Sequence, residues 1–273
     1  MLWKASIALH AGALAAVATH PHLWPWSLGV VAANHAVISA VGLVPRSSLL
    51  GPNWTRLPQE AASRNVVAIS IDDGPEPSTT PRVLDILDAC GAKATFFCIG
   101  ERVVRYRALA QEIARRGHAI ENHSYRHPNY FSLLGPRAMA SEVERAQDVI
   151  ADTTGERPRF FRAPAGLRNP FLQPVLSRFD LQLASWTRRG FDTVNGNPQT
   201  VFRRLTRNLA SGDILLLHDG NAATGTAGVP VIYAVLPRLL DELRGRGLAS
   251  VVMRSALASA ATRTGAPSLA AKD

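Results

Sequence analysis

From Val66 onward this chain repeats one pattern, a short apolar run followed by an amphipathic stretch of about 10 to 18 residues. Parallel strands need a crossover of that length between them, so the repeat dictates a parallel sheet covered by helices. The expected strands are 66–71, 94–99, 119–122, 159–161, 181–186, 214–217 and 249–253, and the expected helices are 81–89, 101–116, 136–153, 171–179, 198–209 and 229–244. Gly91, Gly117 and Gly155 follow three of these helices, and Pro136 and Pro198 open two, as C-terminal glycines and N1 prolines do. Seven strands joined by helices predict an α/β fold with a barrel-like parallel sheet.

Reactive side chains fall at equivalent places in that repeat. Asp72-Asp73 closes the first apolar run, where two adjacent carboxylates repel each other unless a cation or a basic group compensates. His123 follows the third strand, Arg162 the fourth, Trp186 ends the fifth and His218-Asp219 closes the sixth. In a parallel barrel these strand ends form the rim where catalytic groups gather. His123 and His127, four residues apart, offer two imidazole nitrogens, and a carboxylate adds an oxygen. Two histidines and one carboxylate leave coordination positions open, which suits a catalytic Zn²⁺, and iron uses the same set. Alone, such a histidine pair is more often decoration, and its neighbours on the rim give it weight. His118 is expected to be a solvent-exposed residue at a helix end.

The net charge of +9 rests on arginine, the only lysines being Lys4, Lys93 and Lys272. No basic run interleaved with aromatics marks a nucleic-acid face, so nucleic acid is excluded as a partner and an anionic membrane surface is favoured. Cys90 and Cys98 have no metal-type spacing and require no disulfide.

Residues 1–46 differ from everything after them. Segments 5–19 and 27–44 are uncharged, separated by the turn-like, aromatic His20-Pro21-His22-Leu23-Trp24-Pro25-Trp26. They read as a membrane-anchoring helical hairpin, with Trp3, Trp24, Trp26 and Trp54 near its ends. Two alternatives compete. Lys4 and Ala16-Val17-Ala18 resemble a cleaved signal peptide, and the two segments could instead be buried helices capping a soluble domain. Lys4 before the first segment and Arg46, Arg56 and Arg64 after the second place both ends of the hairpin in the cytoplasm, on a bacterial inner membrane. Only a non-spanning first segment, with the second as signal anchor, exports the domain. The expected organisation is an anchor at 1–46, a linker at 47–63, a catalytic domain at 64–255 and a disordered tail at 256–273.

Ser70-Ile71-Asp72-Asp73-Gly74-Pro75, His123-Ser124-Tyr125-Arg126-His127, Arg162-Ala163-Pro164-Ala165-Gly166, Trp186 with Asp192, and Leu215-Leu216-Leu217-His218-Asp219 resemble the five ordered motifs of the polysaccharide deacetylase family, the NodB homology domain of carbohydrate esterase family 4. The resemblance covers residues 64–255 and implies a distorted (β/α)7-type barrel and a metal-dependent hydrolase of N-acylated sugars. By that resemblance Asp73, His123 and His127 hold one divalent ion, Zn²⁺ before Co²⁺. Asp72 is the general base, kept ionised by Arg162, and His218 is the general acid, with Asp192 its partner. The Ala165 backbone N–H stabilises the oxyanion, while Trp186 and Leu217 wall in the acyl methyl. The substrate is an N-acetylated amino-sugar glycan or its precursor. The alternatives are deacylation or deformylation of a lipid-linked sugar at the inner leaflet, and an inactive carbohydrate-binding module. The chain departs from the family pattern at Arg189 and Thr193, where an acid and an aromatic are common, and at Ala163 and Ala165, whose small side chains suggest a wide cleft or one completed by other loops. Arg188-Arg189 is read either as a solvated loop pair or as a greeting for a substrate phosphate or carboxylate.

Overall fold

The computed structural model describes residues 2–225 and 228–257. Eight strands form its sheet: β1 (Val66–Asp72), β2 (Ala94–Cys98), β3 (Ala119–Asn122), β4 (Phe160–Phe161), β5 (Gln182–Leu183), β6 (Arg188–Arg189), β7 (Ile214–His218) and β8 (Ala249–Ser250). Their spatial order is β5-β4-β3-β2-β1-β7-β6, every pairing is parallel, and β8 joins the start of β1 through Val66 and Val67. The helices are α1 (Leu2–Thr19), α2 (Trp24–Gly42), α3 (Gln59–Ala62), α4 (Thr80–Ala89), α5 (Gly100–Arg105), α6 (Arg107–Arg115), α7 (Pro136–Thr154), α8 (Leu172–Arg178), α9 (Pro198–Thr206) and α10 (Ile232–Gly245).

Two-residue alternation along the strands builds two cores back to back. Val67, Ile69, Ile71, Leu215 and Leu217 pack with α4 and α10 residues such as Leu84, Leu87, Leu236 and Leu239. The intervening Ala68, Ile214 and Leu216 face the other way and pack with Phe97, Phe160, Ala184 and Trp186 inside the curl of the sheet. β1 is buried on both faces along its whole length, which is why its sequence reads as an unbroken apolar run. Asp72 shares the inner face with Ala68 and Ser70, so the alternation itself aims this carboxylate into the barrel.

Four expectations about elements change. The strand β6 was not foreseen, because two arginines pairing with Leu215 and Leu216 at the sheet's edge carry no apolar signal. Trp186 does not end a strand, since β5 stops at Leu183 and Trp186 lies in the connection to β6. The single helix expected over 101–116 is two helices, divided at Tyr106 (φ −123°, ψ 48°), and nothing in the local sequence marks the break. His118 is buried. Its ring packs edge-on against Phe96 and its Nδ1 accepts the Ala94 N–H at 3.2 Å, and burial, aided by the Lys93 charge, pushes its pKa down to about 4. At the C-terminal end Ala256 is buried in the inner core, one residue past the expected domain limit, and the rest of the expected tail from 258 on lies outside the described residues.

The N-terminal hairpin forms from α1 and α2, but it is not a pair of core helices. Ser6 is the only buried residue of α1, and Leu14, Trp24, Trp26, Leu28, Val30 and Val37 are exposed. Its polar groups face each other. Asn34 donates to Ser6 Oγ at 2.8 Å, and the Nε2 atoms of His10 and His35 lie 3.2 Å apart. Among the described residues α1 alone is long and apolar enough to cross a membrane, because Asn34 and His35 dilute α2. The hairpin docks on the barrel through an edge-to-face contact of Trp3 with Phe171.

Candidate metal centre and catalytic site

Asp72 and Asp73, neighbours in sequence, meet different surroundings. Asp73 adopts a left-handed backbone (φ 73°), which turns its side chain into the same cavity that Asp72 enters from the strand. Ser124, His127 and Ala165 are also left-handed (φ 62°, 54° and 54°), so four strained non-glycine residues cluster here.

Asp72 belongs to Arg162. Arg162 Nη1 donates to Asp72 Oδ1 at 2.6 Å and to Ser70 Oγ at 2.9 Å, Nη2 to the Ser185 carbonyl at 2.8 Å, and Nε to the Ala184 carbonyl at 3.3 Å. The guanidinium is 1% exposed and lies 3.9 Å above the Phe97 ring. Burial pulls its pKa down, while Asp72 opposes that pull. With each donor nitrogen occupied, the pair fixes the carboxylate in direction.

Asp73 belongs to the histidines. Its Oδ1 is buried without a hydrogen-bond partner, 3.3 Å from His123 Nε2 and 3.4 Å from His127 Nε2. His123 Nδ1 donates to the Arg162 carbonyl at 2.8 Å, which turns Nε2 toward Asp73. Burial raises the Asp73 pKa, but the close His123 imidazole and the charges of His218 and His127 outweigh it and hold the carboxyl below the ordinary range. Burial and the neighbouring His123 push His127 down to about 4, keeping it in the neutral, ligating form. One oxygen and two nitrogens within 4.8 Å of one another, all able to act as unprotonated donors, fit a divalent cation.

His218, at the end of β7, stands across the cavity. Its Nδ1 donates to Asp192 Oδ1 at 2.9 Å, and its backbone N–H donates to Asp192 Oδ2 at 2.8 Å. Burial would lower its pKa, but the Asp192 charge and hydrogen bond, with Asp72 and Asp73 behind them, push it up to about 9. Asp219 turns away. It accepts from Thr80 Oγ1 at 2.5 Å and from the Gly220 N–H at 2.9 Å, tying β7 to the start of α4, and burial raises it to about 7.

The cavity has a volume of about 220 Å³, and its walls include Asp72, Asp73, His123, His127, Ala165, Trp186 and His218. Leu217 is not among them. It points into the helix-facing core, and Leu216, on the same face as His218, lines the cavity instead. Asn221 had not been foreseen, whereas Arg189 belongs to the arginine pair whose reading was left between a solvated loop and a substrate contact. Asn221 Nδ2 donates to Asp73 Oδ2 at 3.1 Å, and Arg189 lies on the wall with its guanidinium 5.2 Å from the Trp186 ring centre. The cleft opened by Ala163 and Ala165 is completed from outside the barrel. Gly166 (φ 74°) has Trp186 and Pro45 so close that an added Cβ would lie 2.6 and 2.8 Å from them, which brings the segment after α2 against the site.

A family model described as polysaccharide deacetylase matches residues 59–184. A peptidoglycan-N-acetylglucosamine deacetylase of Bacillus cereus is 33% identical over 198 residues, covering 71% of this chain and 89% of that protein. A chitooligosaccharide deacetylase of Azorhizobium caulinodans is 32% identical over 209 residues, covering 74% and 97%. A solved structure, the family 4 carbohydrate esterase from Streptomyces lividans in complex with acetate, matches with a TM-score of 0.62 and 32% identity over 68% of this chain and 91% of its own.

Proposed function

Because this chain belongs to the polysaccharide deacetylase family, hydrolases of carbon–nitrogen bonds other than peptide bonds, we propose that it removes N-acetyl groups from amino sugars of a glycan or glycan precursor. The observation that carries this reading is the division of two adjacent carboxylates between a buried arginine and a pair of imidazoles.

Asp73, His123 and His127 would hold one divalent cation, Zn²⁺ before Co²⁺. When bound, the cation supplies Lewis acidity to the acyl oxygen and lowers the pKa of a water toward ~7. Asp72 takes the proton of the attacking water, and Arg162, 2.6 Å from its Oδ1, keeps the carboxylate aimed. The Ala165 N–H donates to the oxygen on which negative charge develops. His218, protonated below its pKa of about 9, gives its Nε2 proton to the departing amine while Asp192 holds the ring by Nδ1. Trp186 and Leu216 receive the acetyl methyl. An inactive binding module has no use for two buried pairs that each hold one catalytic group in a fixed position. In this reading the hairpin of α1 and α2 tethers the enzyme to a bacterial inner membrane, which puts Lys4 and Arg46 together on the cytoplasmic side.

Acetate release from an N-acetylglucosamine oligomer, followed by mass spectrometry, tests the activity. The expected result is release that a chelator abolishes and Zn²⁺ or Co²⁺ restores. No loss of acetyl from any N-acetylhexosamine oligomer with metal present contradicts the proposal. The two leucines separate wall from core. Leu216→Ala should lower kcat/KM roughly tenfold through the lost methyl contact. Leu217→Ala should cost about 2–5 kcal/mol of stability and leave the kinetics of the folded enzyme unchanged, as a denaturant titration with parallel assays would record.

A further inference from the structure

We propose that the groove beside the catalytic cavity is an oxyanion subsite that receives a phosphate or carboxylate carried by the N-acetylated sugar; this rests on the deacetylase reading and extends it to the substrate's charge. The groove has a volume of about 520 Å³ and shares Trp186 and Arg189 with the catalytic cavity, so one molecule can occupy both. Four arginines from three separate segments line it: Arg46 after α2, Arg188 and Arg189 on β6, and Arg204 on α9. Among the described residues no acidic side chain lines it.

These arginines are not equivalent. Arg188 is a strut, its Nε donating to Asp213 Oδ2 at 2.7 Å. Arg46, Arg189 and Arg204 have no carboxylate partner among the described residues. Arg46 Nη1 donates to the Thr187 carbonyl at 3.1 Å and Arg204 Nη1 to the Gly190 carbonyl at 3.4 Å, which holds both heads at the groove with their remaining N–H groups free. Arg189 lies against Phe191 and Trp186, at 4.9 and 5.2 Å from the ring centres, and its Nε is buried without a hydrogen-bond partner. Three uncompensated guanidiniums in one concavity repel each other, and a buried N–H without an acceptor is costly. An oxyanion relieves both, and the planar fork of arginine matches phosphate and carboxylate alike. Pro45 and Val44 complete the wall, so the segment leaving the hairpin helps to select the substrate.

The test compares kcat/KM on three sugars of matched size: the methyl glycoside of N-acetylglucosamine, its 1-phosphate and its 3-O-lactyl ether. The wild type should favour at least one anionic sugar over the neutral one by roughly tenfold, less at high salt. The double variant Arg46→Gln/Arg204→Gln should lose that preference and keep its rate on the neutral sugar. The anionic arm that is preferred identifies the source of the charge. Equal wild-type rates on all three overturn the subsite and leave the deacetylase reading intact. If no sugar reacts, the deacetylase reading fails, and titration of inorganic pyrophosphate into both proteins decides the subsite alone. Binding weakened roughly tenfold in the double variant upholds it, and equal or absent binding overturns it.

Discussion

Replacing Asp72 by asparagine should lower kcat roughly 10²–10⁴-fold while the protein still binds its metal, because the amide keeps the shape of the carboxylate and loses the lone-pair basicity that accepts a proton from water. The magnitude is that of a general base, and the specificity comes from geometry. Asp72 Oδ1 is committed to Arg162 at 2.6 Å, and Oδ2 is 3.8 Å from His123 Nε2. The substitution also leaves Arg162, 1% exposed, without its counter-charge, which costs about 3–5 kcal/mol where a buried pair is broken. A melting curve must therefore accompany the assay. Turnover lost at temperatures where the variant is fully folded separates the chemical role from the structural one.

His218→Ala should be comparably damaging, roughly 10²–10⁴-fold in kcat, and its partner gives a result with a sign. As the acid, His218 must be protonated, so the rate should fall as pH rises through its pKa of about 9. Asp192 is the main group holding that value up against burial. Asp192→Asn should therefore move the alkaline limb of the rate profile from near pH 9 toward pH 6.5 or below, with the acidic limb in place. A residue that merely packed beneath the histidine would lower the whole profile without moving that limb.

Much of this architecture was legible in the sequence, and what was not has physical causes. β1 and β7 stand out because strands buried on both faces read as unbroken apolar runs. The same property hid the facing of β7. In Leu215-Leu216-Leu217 every residue is apolar, so no polar contrast marks the catalytic side; the two-residue count back from His218 and the register with β1, which pairs Ser70 with Leu216 and Asp72 with His218, put Leu216 there. β6 escaped because two arginines at a sheet edge look like a solvated loop. His118 follows a helix-ending glycine, where exposure is the ordinary outcome, and long-range packing on Phe96 overrode the local signal. Asn221 had no motif to announce it, since its role depends on a left-handed backbone (φ 57°) three residues beyond His218. The rim itself was readable because chain polarity alone puts the ends of β1, β3 and β7 on one side of a parallel sheet.

The account depends on Asp72 and Asp73 doing different work, and metal stoichiometry separates them most directly. Purified wild type, Asp72→Asn and Asp73→Asn, each dialysed against Zn²⁺ and then metal-free buffer, would be measured by plasma mass spectrometry. The prediction is about one ion per chain in the wild type and in Asp72→Asn, and none retained in Asp73→Asn. Equal retention in the two variants, or loss from Asp72→Asn alone, would contradict the assignment.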